Sequence, residues 1–340
     1  MSAKELAHAL GISPSTLSLI LNNKPGISDR LRSEVLKKIS DMKEYELPDQ
    51  SSSFIRSTRK TIFFITYLDS GKLLGADTNI FFSFIVEGIE SQVRTFGYTL
   101  MCVTIRRENL ETELAYIAAS NCAGFIIFAP ELAEEQLYPF LSLNLPFVLL
   151  ENSYEIPGIS SVSTNNREGI QTAFDYLVEA GHTRIGYLAS GLNYNCFLHR
   201  QLYAQELAKQ KGIHDFNQYV FSVGYPEASS YEGTKELLLK KAELPSAFLT
   251  DCDAVAVGAI KAFKENGFSV PEDISFIGFD NLPLCNMLEP PLTTVHIHKD
   301  ALGTEAIHLL FRLINGTTDC SVKTELSTKL IVRNSVLVRQ

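Results

Sequence analysis

GISPSTLSLILN, residues 11–22, is the stretch on which the reading of this chain turns. Ser13 carries the short side-chain oxygen that accepts from a helix's orphan N–H groups, and Pro14 behind it fits the first helical position, where its missing N–H costs nothing. The spacing predicts a helix from Pro14 that packs Leu17, Ile20 and Leu21, with Ile12, against its neighbours. Ser15, Thr16 and Ser18 are left at its exposed N-terminal end. Upstream, Ser2-Ala3-Lys4-Glu5 has the form of a capping box opening a helix that turns Leu6, Ala7 and Leu10 inward and stops near Gly11. Downstream, Pro25-Gly26 breaks the chain and Ser28 caps a third helix, with Leu31, Val35, Leu36, Ile39 and Met42 at helical spacing. This is a helix-turn-helix unit with a supporting helix. The pattern alone leaves two readings open: a small serine-capped bundle, or a unit whose second helix lays its N-terminal hydroxyls on base edges and phosphates.

Charge and composition bound the rest. The 340 residues allow a small domain plus a large body of two lobes. The net charge is −9, yet residues 1–60 hold ten Lys and Arg against seven Asp and Glu, so the remainder carries −12. Polyanion contact belongs at the positive end, although an excess this small also suits a solvated surface. Six cysteines, Cys102, Cys122, Cys196, Cys252, Cys285 and Cys320, are scattered without metal or CxxC spacing, which predicts reduced thiols, no disulfide and no metal. With neither a leader nor a bilayer-length apolar run, the expectation is a cytoplasmic protein off the membrane. Residues 46–60, ELPDQSSSFIRSTRK, are polar and serine-rich, and read as a linker.

From Thr61 onward short β-rich runs alternate with amphipathic helices: TIFFITYL, YTLMCVTI, GFIIF and PFVLL, then, after Ser160, RIGYLA, YVFSV, SAFLT and ISFIGF. Such alternation predicts parallel sheets covered by helices on both faces, one before and one after residue 160. A helix near Asp300–Ile314 and strands between Leu326 and Val338 return to complete the lobes. Ligands of open α/β sheets bind beyond the carboxyl ends of the strands. That rule selects Glu151 after PFVLL, Cys252 and Asp253 after SAFLT, Asp280 after ISFIGF, Arg200 in the helix after RIGYLA, and Phe81 and Phe82 in the helix after TIFFITYL. Charged groups that grip hydroxyls beside aromatic faces suit a polyol or a nucleobase. By position alone each has a plainer role: Asp253 and Asp280 as helix caps, Arg200 as an ion-pair partner, the phenylalanines as core.

The segment SAKELAHALGISPSTLSLILNNKPGISDRLRSEVLKKI closely resembles the DNA-binding headpiece of the lactose/galactose repressor family of bacterial regulators, and GHTRIGYL, VPEDISFIGFDN and PPLTTV follow in that family's order and spacing. The resemblance implies a helix-turn-helix domain over residues 1–45, a hinge over 46–60, and a periplasmic-binding-protein-like core over 61–340 crossed three times by the chain. The lobes are expected over about 61–162 with 296–322, and about 163–295 with 323–340. Arg200 and Asp280 fall on the family's effector-gripping arginine and aspartate, and Phe81 on its first-lobe contact loop. Cys252 stands where relatives often place a polar side chain, and Glu151 where some place an aspartate. In the headpiece, Ser15 and Thr16 become base-reading candidates, Ser18 and Asn22 backbone contacts, and Ile55 the minor-groove wedge of a hinge helix. Leu19 stands where many relatives carry an arginine able to grip guanine, so it offers a base only apolar contact.

The chain is thus expected to be a transcriptional regulator, most often a repressor in this family. Its operator is pseudo-palindromic double-stranded DNA, its effector a sugar or related metabolite, and no cofactor is involved. A stand-alone solute-binding protein and a small-molecule enzyme are the alternatives; no phosphate-cradling or nucleophile motif supports the second. A homodimer is expected, because AVAVGAIKAF after Asp253 offers more apolar surface than one buried face requires.

Overall fold

TIFFITYL, rich in β-branched and aromatic side chains and without alternation, forms strand β1 (Thr61–Leu68), buried along nearly its whole length. That is how a central strand reads when helices cover both faces of its sheet. The computed structural model describes residues 7–8, 10–21, 26–28, 31, 34–35, 38, 60–69, 76–128, 130–152, 158–240 and 243–339. The expected linker therefore lies, but for Lys60, outside the described residues, as do Asn22 and Ile55.

In the N-terminal domain, helix α1 (Pro14–Leu21) begins where the proline sets it. The Thr16 amide donates to Ser13 Oγ at 3.0 Å, completing the cap. Ala7, Leu10, Leu17, Ile20 and Val35 form its core, and the Leu31 amide donates to Ser28 Oγ at 3.4 Å.

The first lobe is built from β1, α2 (Ala76–Thr95), β2 (Thr99–Arg106), α3 (Leu110–Ala119), β3 (Cys122–Phe128), the short α4 (Tyr138–Leu141), β4 (Phe147–Leu150) and β5 (Ser161–Thr164). The chain then crosses into α5 (Asn166–Glu179), β6 (Ile185–Ala189), α6 (Asn195–Gln210), β7 (Val220–Ser222), α7 (Glu227–Leu239), β8 (Ala247–Thr250), α8 (Asp253–Glu265), β9 (Ser275–Asp280) and β10 (Thr293–His296). It returns through α9 (Lys299–Ile314), which packs on α2 and on β3 to β5, and ends in β11 (Lys323–Leu326) and β12 (Lys329–Ile331). The sheet orders are β11-β5-β4-β3-β1-β2 and β12-β10-β9-β8-β6-β7. All pairs in the first are parallel, and in the second only β10 with β12 is antiparallel. Two doubly wound lobes are what the alternation of strands and helices predicts, and three crossings are what the family resemblance implies.

Two expectations are corrected. The lobe boundaries shift, because SVST and KTEL pair with each other in the first sheet, Lys323 opposite Ser161. The first crossing therefore falls after Thr164 and the last after Leu326, not at residues 162 and 322. The apolar excess of α8 is also spent inside the chain: Val255, Ala256, Ala259, Ala262 and Phe263 are all fully buried. Helix α7 lies across it so closely that a Cβ on Gly258 would collide with the Glu227 carbonyl. That helix is no argument for a subunit interface. Because the obstacle is backbone, Gly258→Val should destabilise the fold by about 1–3 kcal/mol or more, measured as a lower urea midpoint; an unchanged midpoint contradicts this packing.

Candidate functional site

Arg200 is the side chain around which the inter-lobe cleft is assembled. It sits in the second turn of α6 with only 2 % of its surface exposed. Its Nε donates to Asn166 Oδ1 at 2.7 Å and its Nη1 to the Asp251 carbonyl at 2.6 Å. Nη1 also lies 3.7 Å from Asp280 Oδ1. The guanidinium stacks over the Phe279 ring, 3.7 Å from its centroid. A buried cation persists only where its donors are taken up and a counter-charge is close; here the first crossing supplies Asn166 and the ends of β8 and β9 supply the rest.

The cleft it opens on encloses about 600 Å³, its mouth included, and is lined by Phe81, Phe128 and Glu151 from the first lobe and by Tyr194, Cys196, Phe197, Arg200, Tyr225, Cys252 and Asp280 from the second. Few polar groups among many aromatic ones is the usual make-up of a small-molecule site. The lobes also touch directly. Tyr194 donates to Glu131 Oε1 at 3.0 Å, the Asn195 amide to the Pro130 carbonyl at 3.3 Å, and Asn195 Nδ2 to Asn152 Oδ1 at 3.1 Å.

Burial governs the titration of the site. It pushes the Asp280 carboxyl up, to about 7, against the pull of Arg200; Asp253 and Glu151 add to the rise and Lys299 offsets it. Burial likewise raises Glu151, although Thr164 donates to its Oε1 from both its amide and its hydroxyl at 2.8 Å. The Cys196 thiol is pushed up to about 12 and Cys252 far above its ordinary value, both by desolvation. Both are therefore neutral, soft contacts rather than thiolates. Glu151 at φ 58° and Asp280 at φ 111° hold left-handed backbone, which side-chain-bearing residues rarely adopt.

Of the residues selected from the sequence, the structure brings Phe81, Glu151, Arg200, Cys252 and Asp280 to one cavity. Phe82 is set behind it, its ring 4.5 Å from that of Phe128 and 6.5 Å from that of Phe64. Asp253 is not brought there. Fully buried at the first position of α8, it accepts from the Leu282 amide at 2.8 Å and from Thr294 Oγ1 at 2.6 Å, and so ties the loop after β9 to β10. Tyr194, Phe197 and Tyr225 were not selected, although each follows a strand of the second sheet. Neither was Lys299. Its buried Nζ donates to the Asp280 carbonyl and stands 5.7 Å from the Phe81 ring centroid, so it joins the cleft to α2 and α9.

At the N-terminal end, Ser15 is exposed and Thr16 and Leu19 are half-buried. Ser13 Oγ lies 2.7 Å from the Ser15 hydroxyl and 2.8 Å from that of Thr16, so the cap and both base-reading candidates share one cluster. The side chain of Ser18, like Asn22 and Ile55, lies outside what is described.

The family model described as a periplasmic binding protein-like domain matches residues 174–336. The transcriptional repressor PurR of Photobacterium profundum is 27% identical over 339 residues, covering 98% of both chains. The chain is thus similar over nearly its whole length to a transcriptional repressor. Solved structures agree in fold: a transcriptional regulator CelR–cellobiose complex, TM-score 0.73 at 23% identity over 98% of this chain and 99% of that one, and a Lac repressor dimer bound to operator and an anti-inducer, TM-score 0.70 at 22% identity over 99% of each.

The raised carboxyl has a consequence for stability. Folded Asp280 keeps its proton up to about pH 7, whereas the unfolded chain releases it near its ordinary value of about 3.9. The group's stabilising contribution is therefore complete below that value and is lost as pH rises through the interval up to its folded pKa. The difference in unfolding free energy between the native chain and Asp280→Asn should decline steadily across that window in a urea titration series. A difference independent of pH contradicts the assignment.

Proposed function

We propose that this chain is a DNA-binding transcriptional repressor that acts in the cytoplasm as a homodimer, releasing or gripping a pseudo-palindromic operator according to whether a small-molecule effector occupies the cleft between its lobes. One observation carries the reading. A helix-turn-helix unit with hydroxyls at the open end of its second helix and a two-lobed cleft organised by a buried arginine occur on one chain, and that chain aligns over 98% of its length with repressors. A solute-binding protein has no use for the first part. The relatives are repressors rather than enzymes, and the chain is not an enzyme.

Ser15 and Thr16 are the proposed base readers, with Ser18 and Asn22 on phosphates, Leu19 in apolar contact with a thymine methyl, and Ile55 as a minor-groove wedge. Arg200, Asp280, Glu151, Cys252 and Phe81 are the proposed effector contacts, with Phe82 supporting the wall from behind. The support for a dimer is no longer α8. Exposed Ile80 and Phe84 on α2 and Met287 in the loop after β9, 84% exposed, offer apolar surface outside the core.

Three measurements check these parts. Selection from random duplexes should enrich a pseudo-palindrome whose half-sites sit about 34 Å apart, bound more weakly as salt rises; failure to enrich any symmetric site overturns the DNA-reading role. Light scattering should give a dimer at micromolar concentration, and a monomer contradicts it. Removing either Arg200 or Asp280 by alanine substitution should weaken effector binding by about 2–5 kcal/mol, the cost of leaving a buried charged partner unpaired. Calorimetry showing unchanged affinity in both variants would place the site elsewhere.

A further inference from the structure

Two consecutive residues, Tyr194 at the cap of α6 and Asn195 at its first position, fasten one lobe to the other. The Tyr194 hydroxyl donates to Glu131 Oε1, the Asn195 amide to the Pro130 carbonyl, and Asn195 Nδ2 to Asn152 Oδ1. Each of these bonds is made between protein groups, so they hold the lobes together without a ligand to bridge them. Glu131 is itself steadied from within the first lobe, where its Oε2 accepts from the Asp69 amide at 3.2 Å, just past the end of β1.

The place of the attachment gives it leverage. The three crossings run between β5 and β11 of one sheet and β10 and β12 of the other, whereas Glu131 follows β3 and Tyr194 follows β6. Those strands stand two places beyond β5 and three places beyond β10, roughly 10 and 14 Å at the ordinary spacing of paired strands. Rotation of one lobe against the other about the crossings must therefore strain the bonds of Tyr194 and Asn195. The attachment also reaches into the cleft. Tyr194 is buried in the cavity wall with its ring stacked on Phe197, centroids 5.2 Å apart, and the Phe197 ring lies 5.4 Å from the Arg200 guanidinium. A molecule that displaces Phe197 or Arg200 thus pulls on the same tyrosine that joins the lobes.

We propose that Glu131, Tyr194 and Asn195 form a clasp that holds the cleft shut, and that small molecules reach its inner walls only when the clasp releases. The inference rests on the cleft being the effector site and adds its gate: effector entry and departure are limited by release of the clasp rather than by diffusion.

The chain carries its own reporters of opening. Cys252 lines the cleft and is 3 % exposed, Cys122 and Cys285 are fully buried, and Cys102 and Cys320 are exposed. The test is alkylation of the full chain by N-ethylmaleimide at about pH 8, followed thiol by thiol by mass spectrometry with no effector present, each rate being compared with that of the same thiol in the native chain. In the native chain Cys102 and Cys320 should react at least tenfold faster than Cys252. Tyr194→Phe combined with Asn195→Ala, which removes two hydrogen bonds between the lobes, should speed Cys252 by about tenfold or more, and Tyr194→Phe alone, which keeps the ring, by about threefold or more. Leu198→Ala, on the exposed face of the same helix, should leave the rate unchanged, and Cys122 and Cys285 should stay unlabelled throughout. A Cys252 rate unaltered in both clasp variants overturns the clasp. So does a rise shared by Cys122 and Cys285, which marks unfolding of the lobes rather than their separation. Because no effector is present, either failure leaves the effector site to be judged on its own by the calorimetry of the Arg200 and Asp280 variants.

Discussion

A guanidinium buried between two lobes must be solvated by protein, and in this chain that requirement fixes what surrounds Arg200. Its donors are taken up by Asn166 and the Asp251 carbonyl, the Asp280 carboxyl stands 3.7 Å from it, and its face is covered by Phe279. Removing such an ion from water is costly, and one unmatched partner costs several kcal/mol. The first crossing, the carboxyl ends of β8 and β9 and the second turn of α6 are thereby held in one arrangement. The left-handed backbone at Asp280 and Asn281, φ 111° and 53°, turns the chain away from β9 at the point where the carboxylate is needed.

The same neighbourhood joins the cleft to the packed helices of the first lobe. The Asp280 carbonyl accepts from Lys299 at the start of α9, and α9 packs on α2 so tightly that a Cβ on Gly303 would collide with the Ile85 carbonyl. Helix α2 carries Phe81 into the cleft. A ligand that shifts Asp280 or Phe81 therefore acts on packed helices with little freedom to yield continuously, the condition under which small displacements become discrete changes of state.

Much of this was legible in the chain because the physics is local. Central strands buried on both faces appear as uninterrupted apolar runs, and the C-terminal-edge rule selects Glu151, Cys252 and Asp280 at strand ends and Arg200 in the helix that follows β6, while the family resemblance is what singles out Arg200 and Asp280. The parts that escaped depend on partners distant in sequence. SVST and KTEL carry no apolar run and become strands by pairing with each other. Asp253 sits where a ligand contact would, but Leu282 and Thr294 consume its oxygens. The apolar excess of α8 is real, yet its partner is α7 of the same chain. Lys299 enters the site only once the second crossing is placed beside β9, whereas Tyr194 and Tyr225 obey the edge rule and needed only its wider use.

In the proposed function, occupancy of the cleft is coupled to the grip of the N-terminal unit on DNA. The most direct measurement is the affinity of the full chain for its selected duplex, by fluorescence anisotropy, with and without saturating effector, in the native chain and in Asp280→Asn. Coupling of ordinary size predicts a change of roughly 5- to 150-fold in the native chain and little or none in the variant. Equal affinity with and without effector in the native chain would contradict it.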